Sequence, residues 1–435
     1  MRTAMRGRNA VALATVGVLA LGLAACGSDD TSSAAGAEGT GDTTFWTLED
    51  PTNELQQASI DAFNETDQGS VKMTTVPSDG YLDKLRVTMG SDDMPGLFFS
   101  WGGGPMREYA DAGKIVDIES VAGGEDIRDQ FLPSVLEIGE QDGKLYGVPA
   151  RGTQPVFIFY NKKVFEDAGV EAPTTWDDVT NLVSVFQAKD ITPFAVAGDG
   201  GSAWTQLMWL SYFVDRIGGA EVFNKIQSGD SSGWEDPAVL ESAQMITDMV
   251  ESGAFGDNFA SVGYGEGGTS TLLATGKAAM QLMGSWEYAV QAGADENFAK
   301  NNLGYVAFPA IPGGAGDPTS VVGNPSNYIS MTTAAPEETA VGYLKSLSSD
   351  EYVQSLVDVG EVPVTANAEK FLADAPNPDY AQFQFDMVKN ASSFTQSWDQ
   401  ALGFKIATPM LAELQNLFNG KSSPEDFVAA VSQLS

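Results

Sequence analysis

The chain has 435 residues, long enough for two or three domains with their own cores. Asp and Glu number 59 against 23 Lys and Arg; such a surface repels nucleic acid and anionic lipid headgroups, and disfavours an anionic ligand unless local bases collect it. There is no histidine and a single cysteine, which removes Ser-His-Asp and Cys-His catalysis, the usual zinc ligand sets and any internal disulfide. An enzyme built from this chain would have to use carboxylates, lysine or tyrosine, and no motif calls for a metal or a cofactor.

Residues 1–25 read as a targeting segment. Arg2, Arg6 and Arg8 form a basic head, and Ala10 to Leu23 is an apolar run too short and too rich in small residues to span a membrane well. The run ends Leu23-Ala24-Ala25-Cys26-Gly27, which resembles a bacterial lipobox, with Cys26 lipidated as the first mature residue. Residues 26–42 then form a tether of Ser, Gly, Ala, Thr and Asp with little to bury. A lipid anchor followed by a tether implies a globular body held beside a membrane, not within it.

The body opens on a strand, Thr43 to Leu48, followed by a helix through Phe63. Val71 to Val76 is a second strand, with Tyr81 near the next helix start. Pro95 to Ser100 is a third, running into Trp101-Gly102-Gly103-Gly104-Pro105. Three glycines let the backbone approach whatever lies opposite, and the run lacks the spacing and lysine of a phosphate loop. In an open α/β sheet, ligands meet the loops beyond the strand C-termini, which is where Trp46, Glu49 and Asp50 fall. Val156 to Tyr160 is an unbroken apolar and aromatic run, the pattern of a strand buried on both faces. Gly169 stops the short helix after it, and Pro173-Thr174-Thr175-Trp176-Asp177-Asp178 opens the next, with either threonine placed to cap. Trp204 and Trp209 are five residues apart on an apolar helix, so one is assigned to the core, and Trp204, at the entrance, to the ligand. Gly263 to Gly268 reads as a flexible loop, and no internal repeat is evident.

Gly147-Val148-Pro149, the strand ending Tyr160-Asn161-Lys162, and the helix start Pro173 to Trp176 together resemble the extracellular solute-binding proteins of ABC importers, in the carbohydrate-binding branch that includes maltose-binding protein. Tyr109 to Ile118 and the stretch Gly276 to Glu287 are similar to further parts of that family, and the likeness extends loosely from about Thr43 to the C-terminus. The resemblance implies a two-lobed α/β fold, each lobe a mixed sheet flanked by helices, joined by three hinge crossings. It places residues 43–153 and 311–349 in the first lobe and 154–310 and 350–435 in the second. The crossings are expected at the 154–160 strand, at Tyr305 to Pro309 and near Ser348 to Glu351. It also implies that the Trp101 and Gly103 loop borders a sugar cleft, that a strand delivers Trp286 to that cleft, and that Asn324 lies near it.

Neutral sugars present C–H ring faces that lie well on flat aromatics, and hydroxyl edges that both donate and accept. Trp46, Trp204, Trp286 and Trp398 fall at element ends with polar neighbours, including Glu49, Asp50, Glu287 and Asp399. Arg151 and Gln154 lie at the entry to the crossing strand, placed to touch a ligand at the hinge, although Arg151 is also placed to brace it by pairing with an acid. In maltose-binding protein the position matching Gln154 carries an acid, so the contact there differs. The expected ligand set is therefore Trp46, Glu49, Asp50, Tyr81, Trp101, Gly103, Arg151, Gln154, Trp204, Trp286, Glu287, Asn324, Trp398 and Asp399. The expected function is a monomeric, lipid-anchored, cell-surface binding protein that captures an oligosaccharide, with xylobiose-like xylo-oligosaccharides first and cello-, malto- and chito-oligosaccharides open, and delivers it to a membrane permease. The alternatives are a secreted carbohydrate-active enzyme and a binder of a non-sugar solute such as a polyamine.

Overall fold

The computed structural model describes residues 39–434, except 50–51, 78–80, 92 and 266. The expected leader, the lipidation site Cys26, the tether as far as residue 38 and the candidate Asp50 lie outside the described residues. In chain order the strands are β1 Asp42–Leu48, β2 Ser70–Val76, β3 Leu97–Ser100, β4 Glu140–Gln141, β5 Lys144–Leu145, β6 Val148–Pro149, β7 Gln154–Asn161, β8 Thr192–Ala195, β9 Ala278–Gly284, β10 Leu303–Val306, β11 Val321–Asn324, β12 Tyr328–Met331 and β13 Phe394–Gln396. One sheet runs β2-β1-β3-β12-β6 and the other β13-β11-β7-β9-β8, with β10 also paired to β7; β4 and β5 form a small ladder of their own.

Each sheet has its own core. In the first lobe the helices Asn53–Asn64 and Glu337–Ser346 cover the sheet, with Phe63 set edge-on to Tyr343 at 5.7 Å. In the second, β7 is the central strand, and Val156, Phe157, Ile158 and Phe159 are buried, as the unbroken apolar run requires. The helix Trp176–Gln187 starts with a capping box: Thr175 accepts from the Asp178 N–H at 3.2 Å, and the Asp178 carboxylate accepts from the Thr175 N–H at 2.9 Å. On the helix Ala203–Gly218 it is Trp209 that enters the core, edge-on to Phe194 at 4.9 Å.

That helix also carries a buried ion pair. Arg216 pairs with Asp215, donates to Ser320 Oγ (2.8 Å) and to the Ser320 carbonyl (3.0 Å), and lies over the Tyr212 ring. These contacts fasten the stretch between β10 and β11 onto the second lobe.

Three stretches carry the chain between lobes. Residues 150–153 join β6 to β7, and residues 325–327 join β11 to β12. The third follows the helix Asp350–Asp358, whose Tyr352 and Leu356 belong to the first core, and leads toward the helix Pro378–Lys389, whose Tyr380 belongs to the second. The second and third passages differ from the sequence expectation. Tyr305 lies on β10, which pairs with β7 inside the second sheet, and the chain stays in that sheet through β11, so the return comes at 325–327. Residues 348–351 only begin the Asp350–Asp358 helix, so the first lobe keeps the chain until after Asp358. The reason is pairing: β7 offers two stretches of one edge, and β10 and β11 take one each before the chain leaves.

The buried pair gives a stability test. Asp215→Ala leaves Arg216 buried without its anion and is expected to lower the unfolding free energy by about 3–5 kcal/mol, measured by urea denaturation. A loss well under about 1 kcal/mol would contradict the clamp role assigned to the pair.

Candidate ligand site between the lobes

Register fixes where the two sheets point their loops. In the first lobe the C-terminal end of β3 lies beside the start of β12, with Ser100 opposite Tyr328, and Tyr328 is in turn opposite Pro149. The parallel strands β1 and β3 therefore end at the passages. In the second lobe Gln154 is opposite Asn324, Val156 is opposite Gly284, and β8 runs parallel to β9 with Ala195 beside Gln281. The loops after β8 and β9 therefore leave at the same end. Both lobes aim their strand ends at the crevice the passages span, the position where open α/β sheets hold ligands.

On the second-lobe side three aromatic rings meet. Trp204 sits in the first turn of its helix, 6.1 Å from Trp286 and 5.1 Å edge-on from Tyr264, and all three are half-buried. Trp286 can lie where it does because β9 ends in Gly284: a Cβ there would come within 2.0 Å of the indole. Tyr264 was missed in the sequence, hidden in what reads as a glycine-rich loop; an aromatic residue flanked by glycines was the available signal. The loop is tied back by the Tyr264 N–H, which donates to Ser202 Oγ at 3.3 Å, just before the helix that bears Trp204.

At the passages, Asn324 Nδ2 donates to Gln154 Oε1 at 3.4 Å. The side-chain oxygens Thr153 Oγ1, Asn324 Oδ1 and Asn327 Oδ1 are buried and have no protein partner. These are the hydroxyl and amide groups a polyhydroxylated ligand would satisfy.

The first-lobe side is built from strand ends. Trp46 is half-buried near the end of β1 with Lys84 Nζ 5.0 Å from its ring centre, and Glu49, just beyond, is exposed. Trp101 stands edge-on to Phe99 at 5.1 Å, and its carbonyl accepts from Gln396 Nε2 at 2.6 Å. What lies opposite the glycine run is thus protein. Gly103 has φ +64°, and a Cβ on it would come within 2.5 Å of Gln396 Oε1 and 2.9 Å of the Gln400 carbonyl. Gly103 lets the two lobes touch, and Asp399, half-buried and bonded to Ser397 Oγ at 2.7 Å, belongs to the segment it touches.

Besides Gly103, four expected ligand residues have other duties. Trp398 is 1 % exposed, stacked on Phe223 at 4.7 Å and edge-on to Trp234, so its ring belongs to the second core. Tyr81 is buried, with its hydroxyl 2.7 Å from the Phe99 carbonyl and 3.2 Å from that of Trp46; it ties β1 and β3 together. Arg151 is ion-paired with Glu361, Nε to Oε1 2.9 Å, and the same carboxylate accepts from the Gly152 N–H at 2.8 Å, so the arginine braces the hinge. Glu287 is fully buried behind Trp286, accepting from Gln291 Nε2 (2.6 Å) and Ser270 Oγ (3.0 Å). A groove of about 1240 Å³ on the first lobe, between the helices Asn53–Asn64, Glu337–Ser346 and Asp350–Asp358, is lined by none of the crevice aromatics and is a separate feature.

Burial pushes the Glu287 carboxyl up to about 7, against the downward pull of Gln291, Ser270 and Tyr264. Between its ordinary value of 4.5 and about 7 the folded chain holds a proton that the unfolded chain has released. Stability contributed by this group is therefore expected to fall as pH rises across that window, by up to about 3 kcal/mol. Urea midpoints of the wild type and Glu287→Gln, followed from pH 4.5 to 8, should diverge accordingly, with the glutamine variant flatter; parallel profiles would contradict the assignment.

The family model for bacterial extracellular solute-binding proteins matches residues 46–354. The multiple sugar-binding protein of Streptococcus mutans is 26% identical over 358 residues, covering 81% of each chain. A structure from work on xylan utilization by the thermophilic bacterium Caldanaerobius polysaccharolyticus superposes with a TM-score of 0.78 at 24% identity, covering 90% of this chain and 99% of that one. A chitin oligosaccharide binding protein does so with a TM-score of 0.78 at 25% identity, covering 91% and 98%.

Proposed function

This chain belongs to the bacterial extracellular solute-binding proteins, and from that membership we propose that it captures a neutral oligosaccharide between its lobes for an ABC importer. The observation that carries the reading is the convergence of Trp204, Tyr264 and Trp286, with Ser285, just before Trp286, bonded to the carbonyl of Pro155, just after Gln154. Flat rings suit the C–H faces of sugar rings, and amides suit their hydroxyl edges. Trp46, Glu49 and Trp101 would supply the opposite wall from the first lobe, and Asp399 a carboxylate near the glycine run.

Xylo-oligosaccharides such as xylobiose are the first candidates and chito-oligosaccharides the second. The structural neighbours from xylan utilization and chitin oligosaccharide binding support trying both classes. In this reading Cys26 carries a lipid that holds the monomeric body at the outer face of the cytoplasmic membrane, and the ligand-closed form docks on a permease. Among the described residues no helix is long and apolar enough to cross a membrane, which agrees with a body attached from outside.

A thermal-shift panel tests the proposal, because a ligand that binds only the folded state raises its melting temperature. Xylobiose, chitobiose, cellobiose, maltose and spermidine are the probes. At least one neutral sugar is expected to raise Tm, and Trp204→Ala and Trp286→Ala are each expected to weaken that sugar roughly tenfold or more. A shift with spermidine alone would move the reading to a non-sugar solute, and conversion of a sugar to shorter products would make the chain an enzyme.

A further inference from the structure

Glu287 follows Trp286 directly and opens the helix Glu287–Ala294, yet its side chain turns inward and is fully buried. Its partners are uncharged. Gln291 Nε2 donates to Oε1 at 2.6 Å and to the Ser270 carbonyl at 2.9 Å, and Ser270 Oγ donates to Oε2 at 3.0 Å. These bonds form a closed polar ring between the helices Glu287–Ala294 and Thr269–Ala274. On the remaining side is the Tyr264 hydroxyl, buried against Glu287 and Trp286 without a well-formed hydrogen bond.

One carboxyl group thus stands behind all three aromatic residues of the second-lobe wall. Trp286 is its chain neighbour, Tyr264 faces it, and Trp204 rests on both rings. The Tyr264 loop and the helix bearing Trp204 are themselves joined through Ser202. We propose that Glu287 is a positioning residue for this wall, and that gain or loss of one proton at its carboxyl resets Tyr264 against Trp204 and so makes ligand capture pH-dependent. The second half rests on the reading of the wall as the ligand face.

The chemistry behind the coupling is a reversal of hydrogen-bond roles. An ionised carboxylate accepts only, so the Tyr264 O–H must donate to it. A protonated carboxyl has an O–H of its own, and the Tyr264 oxygen becomes its acceptor. A hydrogen bond to the ionised carboxylate is shorter than one to the neutral carboxyl, so ionisation draws the phenol inward, and Tyr264 is in edge contact with Trp204. Burial holds the carboxyl at about 7, inside the range of ordinary surroundings. The titratable groups facing it are Tyr264 from the 263–268 loop and Tyr380 from the helix Pro378–Lys389; burial raises both, so they stay neutral while Glu287 titrates. The Thr269–Ala274 helix presents Thr269 and Ser270, and β9 presents Gln281, none of which titrates. Ligand capture between closing lobes removes further water from the site, which favours the uncharged carboxyl. By linkage, affinity is then higher for the protonated form and falls as pH rises through about 7.

Two measurements on the full chain test this separately. The first uses no ligand: intrinsic tryptophan fluorescence is followed from pH 5 to 9 in wild type, Glu287→Gln, Tyr264→Phe and Trp204→Phe. The wild type should show a transition centred near 7, which disappears in Glu287→Gln, moves to higher pH in Tyr264→Phe because the carboxylate loses a donor, and shrinks in Trp204→Phe. The second is calorimetry with xylobiose and chitobiose at pH 6 and 8. The bound sugar should weaken several-fold at pH 8 in the wild type and be unchanged in Glu287→Gln. Loss of the fluorescence transition in Glu287→Gln with neither sugar bound would uphold the positioning role while rejecting xylo- and chito-oligosaccharides as the ligand. Identical fluorescence profiles in wild type and Glu287→Gln, or equal pH dependence of sugar affinity in both, would overturn the proposal.

Discussion

Three chain segments cross between the lobes side by side, and they are hydrogen-bonded to one another. The Ala150 N–H donates to the Asn327 carbonyl at 2.8 Å, and the Thr153 N–H donates to the Val362 carbonyl at 2.8 Å. Ser326 Oγ donates to the Arg151 carbonyl, the Tyr352 hydroxyl to that of Ala150, and the Arg151–Glu361 ion pair locks the first passage to the third. A joint built this way resists shear, because sliding one segment breaks several bonds at once. The mechanics of a hinge therefore follow from a bonding pattern of few residues.

The joint also decides where chemistry is concentrated. Every strand that leads into or out of it places its neighbours' loops at the same end, so side chains distant in sequence arrive on one crevice. Gly284 admits the indole of Trp286, and Gly103 admits the other lobe's backbone. Removing either hydrogen-for-carbon exception would push apart surfaces that the sheets have brought together. The passages also hold buried polar atoms without protein partners, on Thr153, Asn324 and Asn327.

Much of this was legible before any coordinates. The apolar run of β7 announced a strand covered on both faces, and Pro173 to Asp178 announced a helix start, although which threonine caps it, Thr175, came only with the structure. Trp204 and Trp286 could be assigned to one surface because each follows an element end. The same rule placed Trp398 there as well, and it failed because Phe223 and Trp234, far away in the chain, pack against its ring. Tyr81 and Glu287 were misplaced for a related reason: a polar tip at an element end reads as a ligand group until the carbonyls or amides that satisfy it are known. The second passage was misplaced because strand pairing, which keeps β10 and β11 on β7, leaves no local mark in sequence. Tyr264 was overlooked because glycine spacing signals backbone freedom and says nothing of where one ring comes to rest.

The central claim is that the lobes turn about this joint and close on a sugar. It is tested most directly by electron-spin distance measurement in a Cys26→Ala background, with labels at Val87 on the first lobe and Leu240 on the second, both exposed. Adding the neutral oligosaccharide that raises the melting temperature is expected to shorten and narrow the distance distribution. An unchanged distribution with that sugar bound would contradict the account.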